Sequence, residues 1–446
     1  MIKKVGLVSL GCPKNLVDSE LMLGVLKNDG FEIVAESSEA QIIIINTCGF
    51  IESARQESID TILEMSAFKE HNCELLIVTG CLAQRYRQEI LDEIPEVDAV
   101  LGAGSYQEIT NIIKMAYQGN RPQICGELIG TDYLEGSRVL STGNCYAYLK
   151  IAEGCDNFCT YCVIPSLRGR FRSRRKEDII NEAKKLAAAG IKELIIVAQD
   201  TTRYGIDIYG ERQLSVLIHM LGEIDGIERL RVLYCYPEEI DDALINEIAE
   251  NDKVCKYIDI PIQHASDTVL KQMGRRTTGS DLEKLLCKLK ERIPCIVIRT
   301  TLIVGFPGES SNDFNQLKDF ARKFKFERLG VFMYSREDNT PAAKMKNQIP
   351  ARIKKSRYDE LMELQQAISD EINKERLEQT YSVLVEGVAE DGIFYYGRSY
   401  AESPDIDGLI YFTSPEPLEI GQIVSVRILD SDQYDLTGEV QNEFTK

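Results

Sequence analysis

Three cysteines lie close together with the spacing C-x-x-x-C-x-x-C: Cys155, Cys159 and Cys162. Three thiolates at this spacing can bind three irons of a 4Fe–4S cluster, which leaves the fourth iron open for another ligand. A structural zinc site needs four protein ligands, and no fourth Cys or His follows nearby. Three unrelated buried thiols are the other alternative. The spacing therefore favours an iron–sulfur centre with one open coordination position.

A second set of cysteines, Cys12, Cys48 and Cys81, is widely spaced in the chain. Each follows, by one or two residues, a short apolar stretch that we predict to be a strand. If these strands form a parallel sheet, their carboxyl ends lie along one edge, where ligands bind in such sheets. The three thiols could then converge on a second cluster. From spacing alone, three unrelated buried cysteines remain the alternative.

Further polar or glycine-rich groups follow the strands of a later α/β series. They are Gln199, Asp200, Asp259, Gln263, His264 and the turn Gly305-Phe-Pro-Gly-Glu309. Glycines in such a turn let the backbone approach a ligand. An ordinary strand-to-helix turn explains the same residues, and each polar group alone also has a structural explanation. Their common place after strands favours a catalytic face at the C-terminal strand ends.

The elements that must position these groups fall into three predicted domains, residues 1–130, 141–375 and 378–446. The first alternates strands and helices, which is typical of an open parallel α/β sheet. The second contains six strand–helix units, which fit a partial (β/α)6 barrel. The third is a small all-β module that follows a charged helix. A linker with Gly and Ser is predicted between the first two domains.

The bounds of the predicted elements follow from apolar runs and turn residues. The first domain has predicted strands at 5–10, 42–46, 75–79 and 99–101. The barrel has them at 146–152, 194–199, 230–234, 257–261, 297–304 and 329–334. The linker covers 126–144, the charged helix covers 352–377, and the β-module has strands that include 382–387, 393–398 and 423–429.

The bulk composition restricts the class of protein. The chain has 446 residues, 44% of them hydrophobic, so several globular domains are expected. No apolar run approaches the roughly 20 residues of a membrane helix, and the stretch before Cys12 is too short for a signal core. We expect a cytoplasmic protein without membrane contact. Thirteen cysteines are then metal ligands or buried thiols, not a disulfide framework.

The barrel cysteines have the spacing that radical S-adenosylmethionine (SAM) enzymes use, and this part of the chain resembles that superfamily. The resemblance implies that the open iron chelates the amino and carboxylate groups of SAM. An electron from the cluster then cleaves SAM to a 5′-deoxyadenosyl radical. Tyr161 matches the aromatic position beside adenine, although core packing explains it equally. The other candidate SAM contacts are Gln199, Asp200, Gly305, Gly308 and Glu309.

The N-terminal segments Gly11-Cys-Pro-Lys-Asn-Leu-Val-Asp-Ser-Glu20, Asn46-Thr-Cys-Gly-Phe50 and Thr79-Gly-Cys81 resemble those of methylthiotransferases. This resemblance covers essentially the whole chain, including a C-terminal module like the TRAM domain. It implies a second 4Fe–4S cluster on Cys12, Cys48 and Cys81 that handles sulfur. It also implies that two SAM molecules are consumed per product. An electron donor and a sulfur source are therefore expected partners.

Members of this family modify either an adenosine in transfer RNA or an aspartate in small-subunit ribosomal protein S-12. Gly11-Cys-Pro-Lys-Asn15 and Pro261-Ile-Gln-His-Ala-Ser266 resemble the members that act on the ribosomal protein. The members that act on transfer RNA typically have Gln-Met-Asn after the first cysteine. They have Gln-Ser-Gly-Ser in place of the residues from Gln263 to Ser266. The local sequence therefore favours an aspartate substrate.

Charge also bears on the substrate. The whole chain has a net charge of −19, and residues 378–446 carry 14 acidic and three basic residues. An RNA-binding module should be basic, whereas this one should attract a basic protein such as a ribosomal protein. Acidity that only keeps the protein soluble is the alternative. We expect S-12, free or in the small ribosomal subunit, as the partner.

A basic run opposes that interpretation, with six positive residues between Arg168 and Lys176. Such a run can bind RNA phosphate. It can also pair with the carboxylate of SAM, with local acids, or with a substrate aspartate, which suits bidentate recognition by arginine. RNA contact is therefore possible but not favoured. Arg168, Arg170 and His264 are the candidate substrate contacts.

Two other classes of function are compatible with clustered cysteines. One is an iron–sulfur scaffold or electron carrier, but such a carrier normally has four protein ligands per cluster, and each set here has three. The other is a zinc-binding interaction module. Cleavage of SAM on reduction, together with metal analysis, separates these classes from the enzyme.

Overall fold

The structure is a computed structural model that describes residues 3–143 and 145–441. The last residue of the predicted linker, Asn144, and the last five residues of the predicted β-module lie outside the described residues.

The first domain is a six-stranded, fully parallel sheet with the order β2-β1-β3-β4-β5-β6. Its strands are β1 (Lys4–Ser9), β2 (Glu32–Ile33), β3 (Ile42–Thr47), β4 (Leu75–Gly80), β5 (Ala99–Gly102) and β6 (Gln123–Ile124). Its helices are α1 (Pro13–Asn28), α2 (Glu52–Ser66), α3 (Cys81–Arg85), α4 (Arg87–Glu93) and α5 (Ile109–Tyr117). The central strands β3 and β4 are buried along their whole length, with an apolar cluster on each face. This burial explains their continuous apolar sequence.

The second domain is an incomplete barrel of six parallel strands in the order β7-β10-β11-β12-β13-β14. These strands are β7 (Tyr146–Lys150), β10 (Glu193–Val197), β11 (Arg229–Val232), β12 (Val254–Gln263), β13 (Val297–Val304) and β14 (Arg328–Met333). Two short strands, β8 (Ala152–Glu153) and β9 (Arg172–Ser173), form a separate antiparallel pair. The predicted first strand therefore ends early, because the chain leaves the barrel sheet after Lys150.

Helices accompany these strands in the second domain. They are α6 (Ile164–Arg168), α7 (Lys176–Ala188), α8 (Ile206–Tyr209), α9 (Leu214–Gly222), α10 (Asp242–Glu250), α11 (Asp267–Gln272), α12 (Gly279–Arg292), α13 (Ser311–Phe324) and α14 (Ala351–Glu375). α12 and α13 each begin with a capping box, in which the cap and third-residue side chains satisfy free amides.

The third domain is a closed five-stranded barrel with the order β15-β16-β17-β19-β18. Its strands are β15 (Thr380–Val388), β16 (Tyr395–Arg398), β17 (Ile410–Thr413), β18 (Ile423–Ser431) and β19 (Leu436–Val440). Closure leaves no free sheet edge, which stabilises so small a β-domain. The predicted fold class, an open sheet followed by a partial barrel and a small β-barrel, is confirmed.

The segment between β16 and β17 packs into the N-terminal mouth of the large barrel. Arg398 lies 2.9 Å from the buried Glu193 carboxylate at the start of β10. Tyr148 donates to Asp405 at 3.1 Å, and Tyr257 donates to Asp407 at 2.8 Å. The β-module therefore closes the end of the barrel opposite to the strand ends that the sequence predicts as catalytic. Among the described helices, none has the length and apolar composition needed to cross a membrane.

Candidate iron–sulfur site at the C-terminal end of the barrel

The loop between β8 and α6 carries Cys155, Cys159 and Cys162. It folds back on itself, because the Cys162 amide donates to the Cys159 carbonyl at 3.0 Å. Asn157 supports the loop from inside: its side-chain amide donates to Asp200 at 2.8 Å and lies 3.5 Å from the Cys155 sulfur. Asp200 is fully buried, and burial raises the pKa of its carboxyl. Asp200, which the sequence analysis named among the polar groups after the strands, thus positions the cysteine loop.

Aromatic side chains surround the same loop. The Tyr236 hydroxyl lies 3.5 Å from the Cys159 sulfur, and the Arg275 guanidinium stacks 4.4 Å from the Tyr236 ring centroid. The Tyr161 ring meets Phe306 edge to face, with centroids 6.4 Å apart. Tyr161 is therefore packed beside the glycine turn that follows β13. This arrangement brings two of the predicted SAM-binding segments together.

The glycine turn is organised by its own acidic residue. The Glu309 carboxylate accepts from the backbone amides of Gly305 and Phe306, and its other oxygen lies 3.0 Å from Arg357. Burial raises the pKa of Glu309 to about 6. Gly308 has a φ of +85°, a backbone conformation that favours glycine. Glu309 therefore holds the turn in shape.

The second set of cysteines lies at the carboxyl edge of the first sheet. Cys12 caps α1 after β1, Cys48 follows β3, and Cys81 begins α3 directly after β4. A side-chain carbon built on Gly11 would lie 2.8 Å from Cβ and 3.2 Å from the sulfur of Cys48. One built on Gly49 would lie 2.9 Å from the backbone of Cys81. The three strand ends are therefore in close contact, and glycines permit this approach.

Asn15 ties these strand ends together. Its side-chain amide donates to the carbonyls of Leu10 and Thr47, both at 3.0 Å. Its oxygen lies 3.9 Å from the Cys81 sulfur. Because one buried side chain contacts the ends of three strands, it fixes their relative position.

Burial disfavours the charged form of a thiol in each cysteine set. Burial, followed by the nearby Cys12 thiol, raises the pKa of Cys48 to about 12. Burial also raises the pKa of Cys155 to about 11. Buried thiolates of this kind are stable only beside positive charge, which bound iron would supply. Within the described residues, no three His, Cys, Asp or Glu side chains are arranged to hold a single metal ion. In a 4Fe–4S cluster each thiolate binds a different iron. The absence, among the described residues, of three ligands around one point therefore concerns sites for a single metal ion.

A buried ion cluster connects the two cysteine sets. Lys150 lies 2.5 Å from Asp18 and 2.6 Å from Glu153. Arg168 lies 2.6 Å from Asp18, and its Nε donates to the Cys81 sulfur at 3.3 Å. Arg168 ends α6, the helix that begins two residues after Cys162. One short helix therefore runs from the barrel cysteines to the cysteines of the first sheet.

The three candidate substrate contacts have different environments. Arg168 is almost completely buried, and its guanidinium already contacts Asn15, Asp18, Glu153 and Cys81, which assigns it to the domain junction. Arg170 is exposed and lies 3.1 Å from Asp156.

His264 is fully buried, and its Nδ1 accepts from the Ser266 amide at 2.9 Å. Burial lowers the pKa of His264 to about 3, so the ring is neutral and offers no charge to a carboxylate. This environment indicates a packing role for the ring.

Several residues of the site were not predicted from the sequence. They are Lys14, Asn157, Lys150, Asp18 and Glu153. One signal for them exists: Lys150 interrupts the apolar strand Tyr-Ala-Tyr-Leu-Lys, where an unpaired charge would be costly. Gln199, which was predicted, donates to Glu153 and so joins the same cluster.

Comparison with known proteins follows the same division of the chain. The family models that match are "Uncharacterized protein family UPF0004" over residues 4–102, the radical SAM superfamily over residues 149–321, and the TRAM domain over residues 379–440. Fold and sequence together define a radical SAM enzyme, which implies a 4Fe–4S cluster and SAM.

Curated relatives match over the full length. The ribosomal protein uS12 methylthiotransferase RimO of Acetivibrio thermocellus is 58% identical over 453 residues, with 100% of both chains covered. The protein of that name from Clostridium tetani is 52% identical over 443 residues, with 99% of each covered. The chain therefore belongs to the RimO family of radical SAM methylthiotransferases, as the motifs predict.

A solved structure shares the fold at low identity. The radical SAM methyltransferase TsrM from Kitasatospora setae, with cobalamin and a [4Fe-4S] cluster bound, superimposes with a TM-score of 0.57 and 15% identity. The match covers 77% of this chain and 74% of that one.

Proposed function

We propose that the chain attaches a methylthio group to the β-carbon of an aspartate in ribosomal protein uS12 (S-12). It would use two 4Fe–4S clusters and two SAM molecules per turnover. The observation that carries this proposal is full-length identity above 50% with enzymes named for uS12. The junction that links two sets of three cysteines supports the two-cluster part.

Cys155, Cys159 and Cys162 would hold the cluster that binds SAM. When bound, the clusters and SAM supply the radical and sulfur chemistry that side chains alone cannot perform. The protein positions them: Asp200 holds the cysteine loop through Asn157. The glycine turn with Gly305, Gly308 and Glu309, packed beside Tyr161 through Phe306, would form the wall against SAM.

Cys12, Cys48 and Cys81 would hold the second cluster, on the side of the junction that belongs to the first domain. Arg168 would contribute a fixed positive charge beside the Cys81 thiolate. Such a hydrogen bond to a cluster sulfur also influences the reduction potential of the cluster. The completely buried ion cluster around Asp18 would keep water out of the space between the two sets.

The acidic β-module suits a basic protein partner. Exposed acids on it include Glu390, Asp391, Glu416 and Glu419. They would attract a ribosomal protein and repel RNA. The reaction also requires an electron donor and a sulfur source as further partners.

A transfer RNA adenosine is the alternative substrate, and it rests on the basic run that begins at Arg168. In the structure much of this run is bonded within the chain. Arg174 pairs with Glu135 and Glu182, and Arg172 donates to backbone carbonyls. The run therefore offers fewer free charges to phosphate than its sequence indicates.

The test uses anaerobically reconstituted enzyme with SAM and a reductant. S-12, free and in small ribosomal subunits, and unmodified transfer RNA are offered in parallel and analysed by mass spectrometry. We expect a methylthio group on one aspartyl peptide and none on the RNA. Methylthiolation of adenosine instead would overturn the substrate assignment and leave the radical SAM class intact.

A further inference from the structure

Lys14 is a buried lysine without an acidic partner. It is 7% exposed, and its ammonium lies 3.2 Å from the centroid of the Tyr234 ring. Within the described residues, no Asp or Glu oxygen lies within 4.0 Å of this ammonium. A cation–π contact offsets only part of the free-energy cost of removing a lone ammonium from water. The fold therefore maintains a positive charge that its own carboxylates do not balance.

Nearby acids are already bound to other cations. Asp259 accepts from Arg299 at 2.9 Å and from the Tyr234 amide at 3.1 Å. Asp18, on the same helix as Lys14, is shared by Lys150 and Arg168. The neighbourhood thus contains carboxylates that other cations already bind, and Tyr234 and the Cys12 thiol are the other titratable groups that act on the Lys14 ammonium.

The position of Lys14 suggests which anion would balance its charge. It is the second residue of α1 and lies two residues after Cys12. Its aromatic partner Tyr234 lies two residues beyond the end of β11, at the C-terminal end of the barrel. The ammonium is therefore placed where the cysteine edge of the first sheet meets the barrel strand ends. A side chain that receives sulfur must enter this region.

We propose that the Lys14 ammonium binds the side-chain carboxylate of the acceptor aspartate, with the Tyr234 ring beneath the charge. This inference rests on the proposed function and names the group that selects the acceptor. A charge-assisted hydrogen bond to the carboxylate would fix the adjacent β-carbon near the cysteines. A neutral acceptor would leave the ammonium uncompensated and would be rejected.

The experiment measures binding without turnover. Reconstituted full-length enzyme with SAM and no reductant is titrated with S-12, and with S-12 whose modified aspartate is replaced by asparagine. Lys14→Met removes the charge and keeps an unbranched side chain. Lys27→Met, an exposed lysine on the same helix, is the matched control. Melting temperature and iron content report on folding.

We expect Lys14→Met to weaken binding of natural S-12 about tenfold or more, as loss of a charged hydrogen bond does. Binding of the asparagine form should already be weak in the wild type and should not weaken further. Lys14→Arg should retain part of the preference for aspartate. Lys27→Met should behave as the wild type.

Two results would overturn the inference. Equal weakening for both forms of S-12 would mean that Lys14 only supports the fold. A loss of SAM affinity would mean that Lys14 holds the carboxylate of SAM. Failure of the proposed function is distinguishable in a turnover assay with reductant. In that case both the wild type and Lys14→Met would leave the S-12 aspartate unmodified.

Discussion

The two ends of the large barrel are each closed by a neighbouring domain, and a buried ion cluster lies at both interfaces. At the N-terminal end, Arg231 donates to Glu193 at 2.8 Å and to carbonyls of the β-module. At the C-terminal end, Lys150 and Arg168 pair with Asp18 and Glu153.

The difference lies in what surrounds these ion clusters. The C-terminal end also holds six cysteines on loops and strand ends, together with Lys14, which has no acidic partner in the described part of the chain. At the N-terminal end, the Arg229 guanidinium donates to β-module carbonyls and so serves attachment. Similar buried charges therefore serve attachment at one end of the barrel and lie beside the two cysteine sets at the other.

A cavity of about 880 Å³ at the N-terminal end sharpens this contrast. It lies between the barrel and the β-module and is lined by charges of both signs, such as Lys192, Arg229 and Asp252. None of the cysteines of the two sets lines it. This cavity therefore belongs to the interface with the β-module and lies apart from both cysteine sets.

The largest expected effect separates the two cysteine sets at the C-terminal end of the barrel. Cys155→Ala should abolish formation of deoxyadenosine, because the cluster proposed to bind SAM would lose a ligand. Cys48→Ala should abolish methylthiolation and retain deoxyadenosine formation. Each variant should lose about half of its iron, measured by metal analysis. Equal loss of both activities in both variants would contradict this division of labour.

The next effect tests the junction that joins the two sets. Lys150→Met leaves Asp18 and Glu153 close together with Arg168 as their remaining cation. Removal of one partner from a buried ion cluster should cost about 3–5 kcal/mol of stability in chemical unfolding. Lys355→Met, which breaks an exposed pair with Asp359, should cost less than about 0.5 kcal/mol. Similar costs for the two variants would show that the junction is not tightly assembled.

A smaller expected effect concerns the N-terminal end of the barrel, where stability should depend on pH. Burial opposes ionisation of Glu193, but Arg398 and Arg231 outweigh it and lower its pKa to about 2 from an ordinary 4.5. The carboxylate therefore stabilises the fold above about pH 4.5, and this contribution is lost as pH falls towards 2. Its size is about 3 kcal/mol.

We expect the difference in unfolding free energy between wild type and Glu193→Gln to be largest at pH 7. It should shrink at pH values below about 4.5. Both proteins carry the same cysteines, so any effect of acid on metal bound by them should cancel in the comparison. A difference that does not change with pH would mean that Glu193 is not ionised in the fold.

The smallest expected effect concerns the exposed acids of the β-module. Glu416→Lys combined with Glu419→Lys should weaken S-12 binding a few-fold at low salt and less at high salt, because rim charges act mainly on association. Asp319→Lys combined with Asp359→Lys, at exposed acids on barrel helices α13 and α14, changes the net charge by the same amount and is the control. Equal effects of the two changes would indicate a general charge effect and no docking surface on the β-module.

The acidity of the β-module shows where a sequence count needs the fold. Glu402 is buried against Arg376 and Arg328, and Asp407 accepts from Tyr257. These acids attach the module to the rest of the chain, whereas Glu416 and Glu419 face solvent. The net charge of the module favours a basic partner only to the extent that its acids remain exposed to solvent.

The sequence by itself determined the fold class, the family and the loop set of cysteines. The reason is locality: C-x-x-x-C-x-x-C places three thiols on one loop, and buried parallel strands are recognisable as apolar runs. The carboxyl ends of parallel strands lie along one edge of a sheet, so the sequence also predicted that Cys12, Cys48 and Cys81 lie together. The close approach of Gly11 to Cys48 and of Gly49 to Cys81 supports this prediction.

Only the tertiary structure decided how the charges are used. Arg168 belongs to a basic run in sequence, yet it is buried against Asp18, which is 150 positions away. Lys14 is part of the Gly11-Cys-Pro-Lys-Asn15 motif, but the motif does not show its environment, which depends on Tyr234 and on acids that bind other cations. Pairing between charges depends on distances across domains and on burial, and neither is encoded in local spacing.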